Sequence, residues 1–183
     1  MKKLLTAILL AALLSMTFGV LSANAAPAGT GKILLQLDGM KGESTLKGYE
    51  NWIELTGSSF SILNQGAAAA GSGAGAGKVT FSDLSITKAT DASSIAIMTN
   101  ALKGLHIPKG KLVYLRSSAE GRQTPYLTIE LEDVLISSYS FSDTSEAVSL
   151  RYSKVKWTYL MTDAKGASVP ITGGWDLKQN KAA

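Results

Sequence analysis

The chain has 183 residues, of which 45% are hydrophobic and 17% are charged, so its composition is that of a folded domain rather than a disordered or fibrous protein. It contains no cysteine and one histidine, which excludes disulfides, cysteine nucleophiles and zinc sites built from thiolates or several imidazoles. The formal charge is +4. Without Lys2 and Lys3, which lie in a predicted export segment, it falls to about +2, too small to indicate nucleic-acid binding.

Residues 1–25 have the three-part pattern of a secretory signal peptide: two lysines, an apolar run, and small residues ending at Ala23 and Ala25. This pattern predicts cleavage between Ala25 and Ala26. A membrane anchor is the alternative, because the segment carries no charge after its initial lysines, but polar residues and a glycine weaken a spanning helix. Cleavage leaves one predicted domain, residues 26–183, in an exported, periplasmic or secreted location without membrane attachment.

Alternating apolar residues predict strands at 33–37 and 52–55. The sequence GAAAAGSGAGAG follows at 66–77. This stretch has almost no side chain to bury and much backbone entropy to lose, so it is predicted to be a flexible loop, either a passive linker or a contact loop ordered by a partner.

One helix is predicted from about residue 91 to 105, with Asp91 or Ser93 at its start and Gly104 and Pro108 at its end. Four large apolar residues recur at spacings of three and four: Ile95, Met98, Leu102 and Leu105. This stripe predicts a packing face rather than a cofactor site.

Further strand patterns cover 78–88, 111–117, 126–142 and 146–161. In three runs the apolar phase slips by one residue, after Phe81, Leu131 and Tyr152. Each slip predicts a bulge or bend, and repeated bends let a sheet close on itself. The predicted fold is therefore mostly β, a closed or nearly closed antiparallel β-barrel with one flanking helix. The alternative is that both strand faces are partly buried, as in an oligomer.

All four prolines fall between the predicted elements: Pro27, Pro108, Pro125 and Pro170. At such positions the missing amide hydrogen removes no bond from a sheet, so the prolines support the predicted boundaries.

The nucleotide-binding motifs are incomplete. Residues 71–76 fit a loose dinucleotide fingerprint, and Gly77 with Lys78 fits the end of a P-loop. A strand pattern follows, so the helix N-terminus that would bind the phosphate is missing.

Catalytic patterns are also weak. His106 could act as a base only with a serine and an acid such as Asp83 or Asp133, and the chain has no nucleophile elbow, which favours a cap or loop role for the histidine. Glu130 and Glu132 share one strand face with polar neighbours, which favours a solvated surface over an acid–base pair. The sequence therefore predicts no catalytic residue, metal or cofactor.

Several stretches resemble the Hcp family, the hemolysin-coregulated proteins that form the inner tube of the bacterial type VI secretion system. The resembling stretches are ILLQLDGMKGEST at 33–45, GKVTFSDLSITKATDASS at 77–94, YLTIELEDVLISSYS at 126–140, VSLRYSKVKWTY at 148–159 and GWDLKQNK at 174–181. They follow the family order across nearly all of residues 26–183.

The resemblance implies a β-barrel with one helix that assembles into a hexameric ring, and rings that stack into a hollow tube. It implies as partners other copies of the chain, a contractile sheath, a valine-glycine-repeat spike and small effector proteins. The family's extended loop contacts neighbouring subunits or rings, which makes the loop glycines candidate contact residues: Gly66, Gly71, Gly73, Gly75 and Gly77. A role in assembly fits strands that are apolar on both faces, because the outer face then needs burial.

The export signal departs from this family pattern, because tube subunits assemble in the cytoplasm. The sequence therefore indicates an exported relative of the tube protein. The alternative functions are a periplasmic or secreted binding module that kept the fold, with the glycine loop gating a ligand surface, and an enzyme that depends on His106.

Overall fold

The computed structural model describes residues 31–64, 79–118, 121–163 and 165–183. The predicted export segment and the glycine loop lie outside these residues. The described elements are β1 (Ile33–Leu37), β2 (Ile53–Leu55), β3 (Gly57–Ser59), β4 (Ile62–Asn64), β5 (Val79–Phe81), β6 (Leu84–Ala89), α1 (Ser94–Lys103), β7 (His106–Ser117), β8 (Gln123–Ser142), β9 (Ser145–Arg151), β10 (Lys154–Thr162), β11 (Ser168–Asp176) and β12 (Lys181–Ala182). The fold is mostly β with one helix among the described residues, as predicted.

Ten of these strands form one antiparallel sheet, whose main path runs β12-β11-β10-β8-β7-β1-β2. A branch leaves the second half of β8 and runs through β9 and β6 to β3. β2 and β3 follow each other directly in residues 53–59, and between them Thr56 donates its N–H to Thr87 O at 2.8 Å. Residues 53–59 therefore pair with β1 at their start and with β6 at their end.

Each predicted phase slip coincides with a change in strand direction or partner. β5 ends and β6 begins around Ser82 and Asp83, and β9 gives way to β10 at Tyr152 and Ser153. β8 continues through its slip, but Asp133 takes a left-handed φ of 54° there. Before this residue β8 pairs with β10, and after it with β9. The three predicted slips therefore coincide with two breaks between strands and one change of partner, while the register shifts of β8 lie at other positions.

The bends keep the apolar residues of both phases in one core. Its members on the three bent runs include Leu84, Ile86, Ile129, Leu131, Val134, Ile136, Val148, Leu150 and Val155. A strand that reverses its apolar parity without a bend would turn half of these side chains to solvent.

The outer face differs from the prediction of an apolar surface that other copies must bury. Leu34, Val113 and Leu115 form a second small cluster on that face, and residues 46–52 of the same chain pack against it. Farther along the sheet the outer face carries charged side chains.

Three of the four prolines lie within strands rather than between elements, so the prediction was wrong for these three, and Pro27 lies outside the described residues. Pro108 lies in β7 at a position for which no pairing partner is assigned in the described sheet, and Pro125 lies in β8 next to a register shift. Pro170 lies in β11, which pairs with β10 on one side, while β12 pairs only with its last residues. Edge and bulge positions tolerate the missing amide hydrogen.

The helix is shorter than the predicted 91–105. Asp91 Oδ1 accepts the N–H of Ser93 at 2.9 Å before the first turn. Gly104 ends the helix with a φ of 61°, a conformation that costs glycine far less than other residues.

Candidate assembly surfaces

The predicted site residues of the signal cleavage region, Ala23, Ala25 and Ala26, lie outside the described residues. The same holds for the candidate contact glycines at 66, 71, 73, 75 and 77. The described residues nevertheless present several surfaces and clusters that bear on function.

The apolar stripe of α1 faces outward. Ile95 is 70% exposed and Leu102 is 84% exposed, and Met98 and Leu105 are also exposed. The helix instead packs inward through Ile97, which is fully buried. These four side chains therefore form an exposed apolar surface that none of the described residues covers; we call Ile95, Met98, Leu102 and Leu105 the helix surface.

A second exposed apolar surface lies on the hairpin of β10 and β11. Tyr159 is directly opposite Ile171, and Met161 is directly opposite Val169, so the four side chains share one face. All four are exposed. We call them the hairpin surface. The sequence patterns missed it, because β11 was not predicted: Pro170 and two glycines interrupt its alternation.

The short pair β4 and β5 packs onto β10 through aromatic rings. Phe60 and Phe81 each stack against Trp157, with ring centroids 6.2 and 6.3 Å apart. Ile62 and Leu63 at the start of this arm are exposed. We call residues 60–64 and 79–81 the β4–β5 arm. The arm holds together the residues that precede and follow the glycine loop.

The outer face of β7, β8 and β10 is a solvated charged surface. Lys111 and Lys156 contact the two oxygens of Glu130 at 3.2 and 3.7 Å, and Lys154 lies 3.4 Å from Glu132. An open groove of about 480 Å³ lies over this face. The solvated face predicted for the two glutamates is confirmed, since each carboxylate is exposed and has lysine partners.

His106 lies at the start of β7, not in the helix cap, which Gly104 forms. Its Nδ1 is 2.5 Å from Asp133 Oδ1. Ser153 donates its hydroxyl to Asp133 Oδ2 at 2.5 Å, and Lys178 donates to the same oxygen at 2.7 Å. A serine nucleophile would have to donate to the imidazole. In this cluster the histidine contacts the aspartate as in a hydrolase, but the serine donates its hydrogen bond to the aspartate instead of to the histidine. The cluster therefore lacks the arrangement of a catalytic triad.

The donors around Asp133 hold its pKa well below the usual range, Lys178 most strongly, then Ser153 and His106. The same contact raises the pKa of Lys178. The charged side chain of Asp133, on β8, therefore links three other parts of the chain. These are the start of β7, the residues between β9 and β10, and the turn between β11 and β12.

Asp83, between β5 and β6, forms a second set of such contacts. It accepts a hydrogen bond from Ser137 at 2.5 Å and from Arg151 Nε at 3.3 Å. Burial, together with the negative charge of Asp83, raises the pKa of Tyr152 to about 12. The carboxylate of Asp83 therefore holds the residues between β5 and β6 against β8 and β9.

A buried ionic cluster joins the helix start to the sheet. Lys88 Nζ lies 3.1 Å from Glu146 Oε2 and 2.9 Å from Asp91 Oδ1, and donates to Ser94 Oγ at 3.1 Å. The side chains of Lys88 and Glu146 are both 0% exposed. A charge at this depth needs its partners, so the cluster fixes where the helix begins.

Gly42, in the family-like stretch 33–45, is required by the packing of the backbone around it. A Cβ at this position would lie 2.4 Å from Trp52 O, so only glycine fits without a shift. Gly42 donates its N–H to Asn51 O at 2.8 Å, and Glu43 accepts the N–H of Ala92 at 3.0 Å. These hydrogen bonds hold the loop after β1 against the residues before β2 and against the helix start. The role of Gly42 and Glu43 is therefore structural.

Within the described part of the chain, no helix has the length and apolar character needed to span a membrane. In the same residues no group of three His, Cys, Asp or Glu side chains is arranged to hold a metal ion.

Comparison with known proteins places the chain in one family. The sequence model of the family described as "Type VI secretion system effector, Hcp" matches residues 34–159. Protein hcp1 of Pseudomonas aeruginosa is 35% identical over an alignment of 114 residues, and the match covers 58% of this chain and 70% of that protein.

Solved structures share the fold over most of the chain. The crystal structure of Hcp1 from Salmonella typhimurium is 29% identical with a TM-score of 0.69, covering 84% of this chain and 99% of that one. A structure described as a type six secretion system protein is 27% identical with a TM-score of 0.74 and the same coverage. With the family match covering more than half of its length, this chain belongs to the Hcp family of type VI secretion system proteins.

Proposed function

We propose that this protein is a structural subunit whose copies assemble into a hexameric ring, and that the rings stack into a secretion tube that carries effector proteins. The family match over residues 34–159 is the observation that carries this proposal. The helix surface and the hairpin surface support it, because obligate assemblies bury such exposed apolar surfaces between subunits.

The proposal includes a closed barrel. Residues 53–59 pair with β1 at one end and with β6 at the other, and β1 and β6 are connected through β7, β8 and β9. A closed sheet leaves fewer free strand edges, which restricts association to chosen surfaces.

It also includes export and the remaining partners. We infer cleavage between Ala25 and Ala26 and a location outside the cytoplasm, periplasmic or secreted, on the pattern of residues 1–25. The glycines of residues 66–77 would contact a neighbouring subunit or ring, since the β4–β5 arm brings their flanking residues together. A spike protein, a contractile sheath and small effectors complete the partners that the family resemblance implies. The role is structural, without catalysis.

Size-exclusion chromatography with light scattering on protein purified from cells expressing the full chain tests the proposal. We expect a mass near six subunits, with the subunit mass taken from the same sample under denaturing conditions. A mass of one subunit at the highest attainable concentration would overturn the proposal.

A further inference from the structure

Apart from Leu105, which follows Lys103, the residues of the helix surface and the hairpin surface lie in segments that lack charge. Residues 92–102, 157–162 and 167–175 contain no Asp, Glu, Lys or Arg, although 17% of the chain is charged. Most of these positions on β11 are exposed. Depletion of charge with enrichment of large apolar side chains is the compositional mark of an interface centre.

The two surfaces are far apart within one subunit. Leu127 pairs with Tyr159, so the hairpin surface lies beside the first half of β8. His106, just after the helix, pairs with Leu135, and the helix start is tied to Lys88, so the helix lies beside the second half. Eight residues of strand separate these positions, about 26 Å. The side chains of both surfaces are exposed, so the two surfaces do not cover each other within the described residues of one copy.

Two different apolar surfaces on separate parts of one subunit suit head-to-tail association. A ring requires such heterologous contacts, in which one patch of each copy meets another patch of the next. An isologous dimer would need only one patch, and would leave the other exposed.

We propose that the hairpin surface of one copy packs against the helix surface of the next copy. The inference rests on the proposed function, because it names the contact by which ring subunits associate. Tyr159 and Ile171 of one copy would contact Leu102 and Ile95 of its neighbour. The large side chains would supply the anchors of the interface, as a few buried residues do in most interfaces.

Thiol cross-linking tests this contact directly, because the chain contains no cysteine and each introduced thiol is unique. Leu102→Cys and Ile171→Cys are made separately and together in the full chain, and treated with a short bismaleimide linker. We expect the double variant to form a ladder of cross-linked species, and a mixture of the two single variants to form cross-linked dimers. Neither single variant should cross-link with itself.

The control is Leu102→Cys combined with Glu132→Cys, since Glu132 is exposed on the charged face. This pair should give no ladder. Light scattering on each variant shows first whether it still assembles, and circular dichroism shows that it is folded.

The outcomes separate the inference from the proposed function. If the unmodified chain is a single subunit, the ring proposal fails and this contact fails with it. If the chain assembles but only the single variants cross-link with themselves, or no pair cross-links, the helix–hairpin contact is overturned while the ring proposal stands. The contact is supported if the Leu102→Cys and Ile171→Cys double variant forms a ladder while the single variants by themselves and the control pair form none.

Discussion

Lys88 and Glu146 form a buried ion pair at 3.1 Å, whereas Lys32 and Glu54 form an exposed pair at 3.0 Å. Equal distances do not imply equal energies. Removing one partner of a buried pair leaves an uncompensated charge, while an exposed charge is rehydrated.

We therefore predict that Glu146→Gln lowers the free energy of unfolding by about 3 kcal/mol, at the low end of the range for broken buried pairs because Asp91 still contacts Lys88. The matched control Glu54→Gln should cost at most about 1 kcal/mol. Urea unfolding at one fixed protein concentration measures both. Equal losses in the two variants would mean that the buried cluster does not stabilise the fold.

Asp133 predicts a pH dependence. Its folded pKa is lowered, so its stabilisation is complete above the ordinary pKa of aspartate, about 3.9, and is lost as the pH falls from there toward the folded pKa. Asp133→Asn should lower the melting temperature at pH 7, and the difference from the unmodified chain should shrink below about pH 4.

The control for this prediction is Asp143→Asn, because Asp143 has the same left-handed backbone, with a φ of 53°, and an exposed side chain. Thermal unfolding followed by circular dichroism from pH 7 to pH 3 compares the variants. If the loss in melting temperature did not depend on pH, or if Asp143→Asn caused the same loss, the contacts of Asp133 would not be its cause.

The helix offers a test of which of its faces packs inward. Ile97→Ala removes a fully buried side chain and should cost about 2–5 kcal/mol of unfolding free energy. Leu102→Ala removes an exposed one and should change the stability of the single subunit by no more than about 0.5 kcal/mol, while weakening assembly.

Urea unfolding and light scattering on the same two samples distinguish these effects. A large loss of subunit stability in Leu102→Ala would show that the helix surface packs inside the chain.

The helix shows what periodicity can and cannot predict. The spacing of Ile95, Met98, Leu102 and Leu105 indicated the helix itself, and the structure has it at nearly the predicted position. The predicted packing face is exposed in the single chain, and the helix packs on the sheet through Ile97, Ala96 and Ala101 instead. A stripe that is apolar and exposed is also what an interface between subunits requires, and the sequence alone does not separate the two.

The strands show the same limit. Parity changes predicted the three bends, since a side-chain period of two makes a slip visible in the sequence. The hydrogen bonds that hold the bends could not be predicted, because Asp133 contacts residues 20 to 45 positions away in the chain. The strand β11 was missed because its proline and glycines are ordinary turn signals.

For the molecule as a whole, the resemblance in the sequence predicted the family, and the fold match confirms it. The prediction that other copies must bury an apolar outer sheet face was wrong, since that face is covered by residues 46–52 in one part and charged in another. Exposed apolar side chains lie instead on the helix, on the β10–β11 hairpin and on the β4–β5 arm, and sequence patterns do not show where these elements lie in space.

Assembly is the property from which the proposed role follows. Ring closure needs contacts that repeat head to tail with one rotation, and six copies related by that rotation leave a central channel. Images of single particles show the symmetry and the channel, which a mass does not.

Electron microscopy of the purified full chain in negative stain measures this most directly. We predict class averages of rings with six-fold symmetry and a central hole, and stacks of such rings at high concentration. Averages that show only single compact particles or two-fold dimers, from a preparation that circular dichroism shows to be folded, would contradict the account.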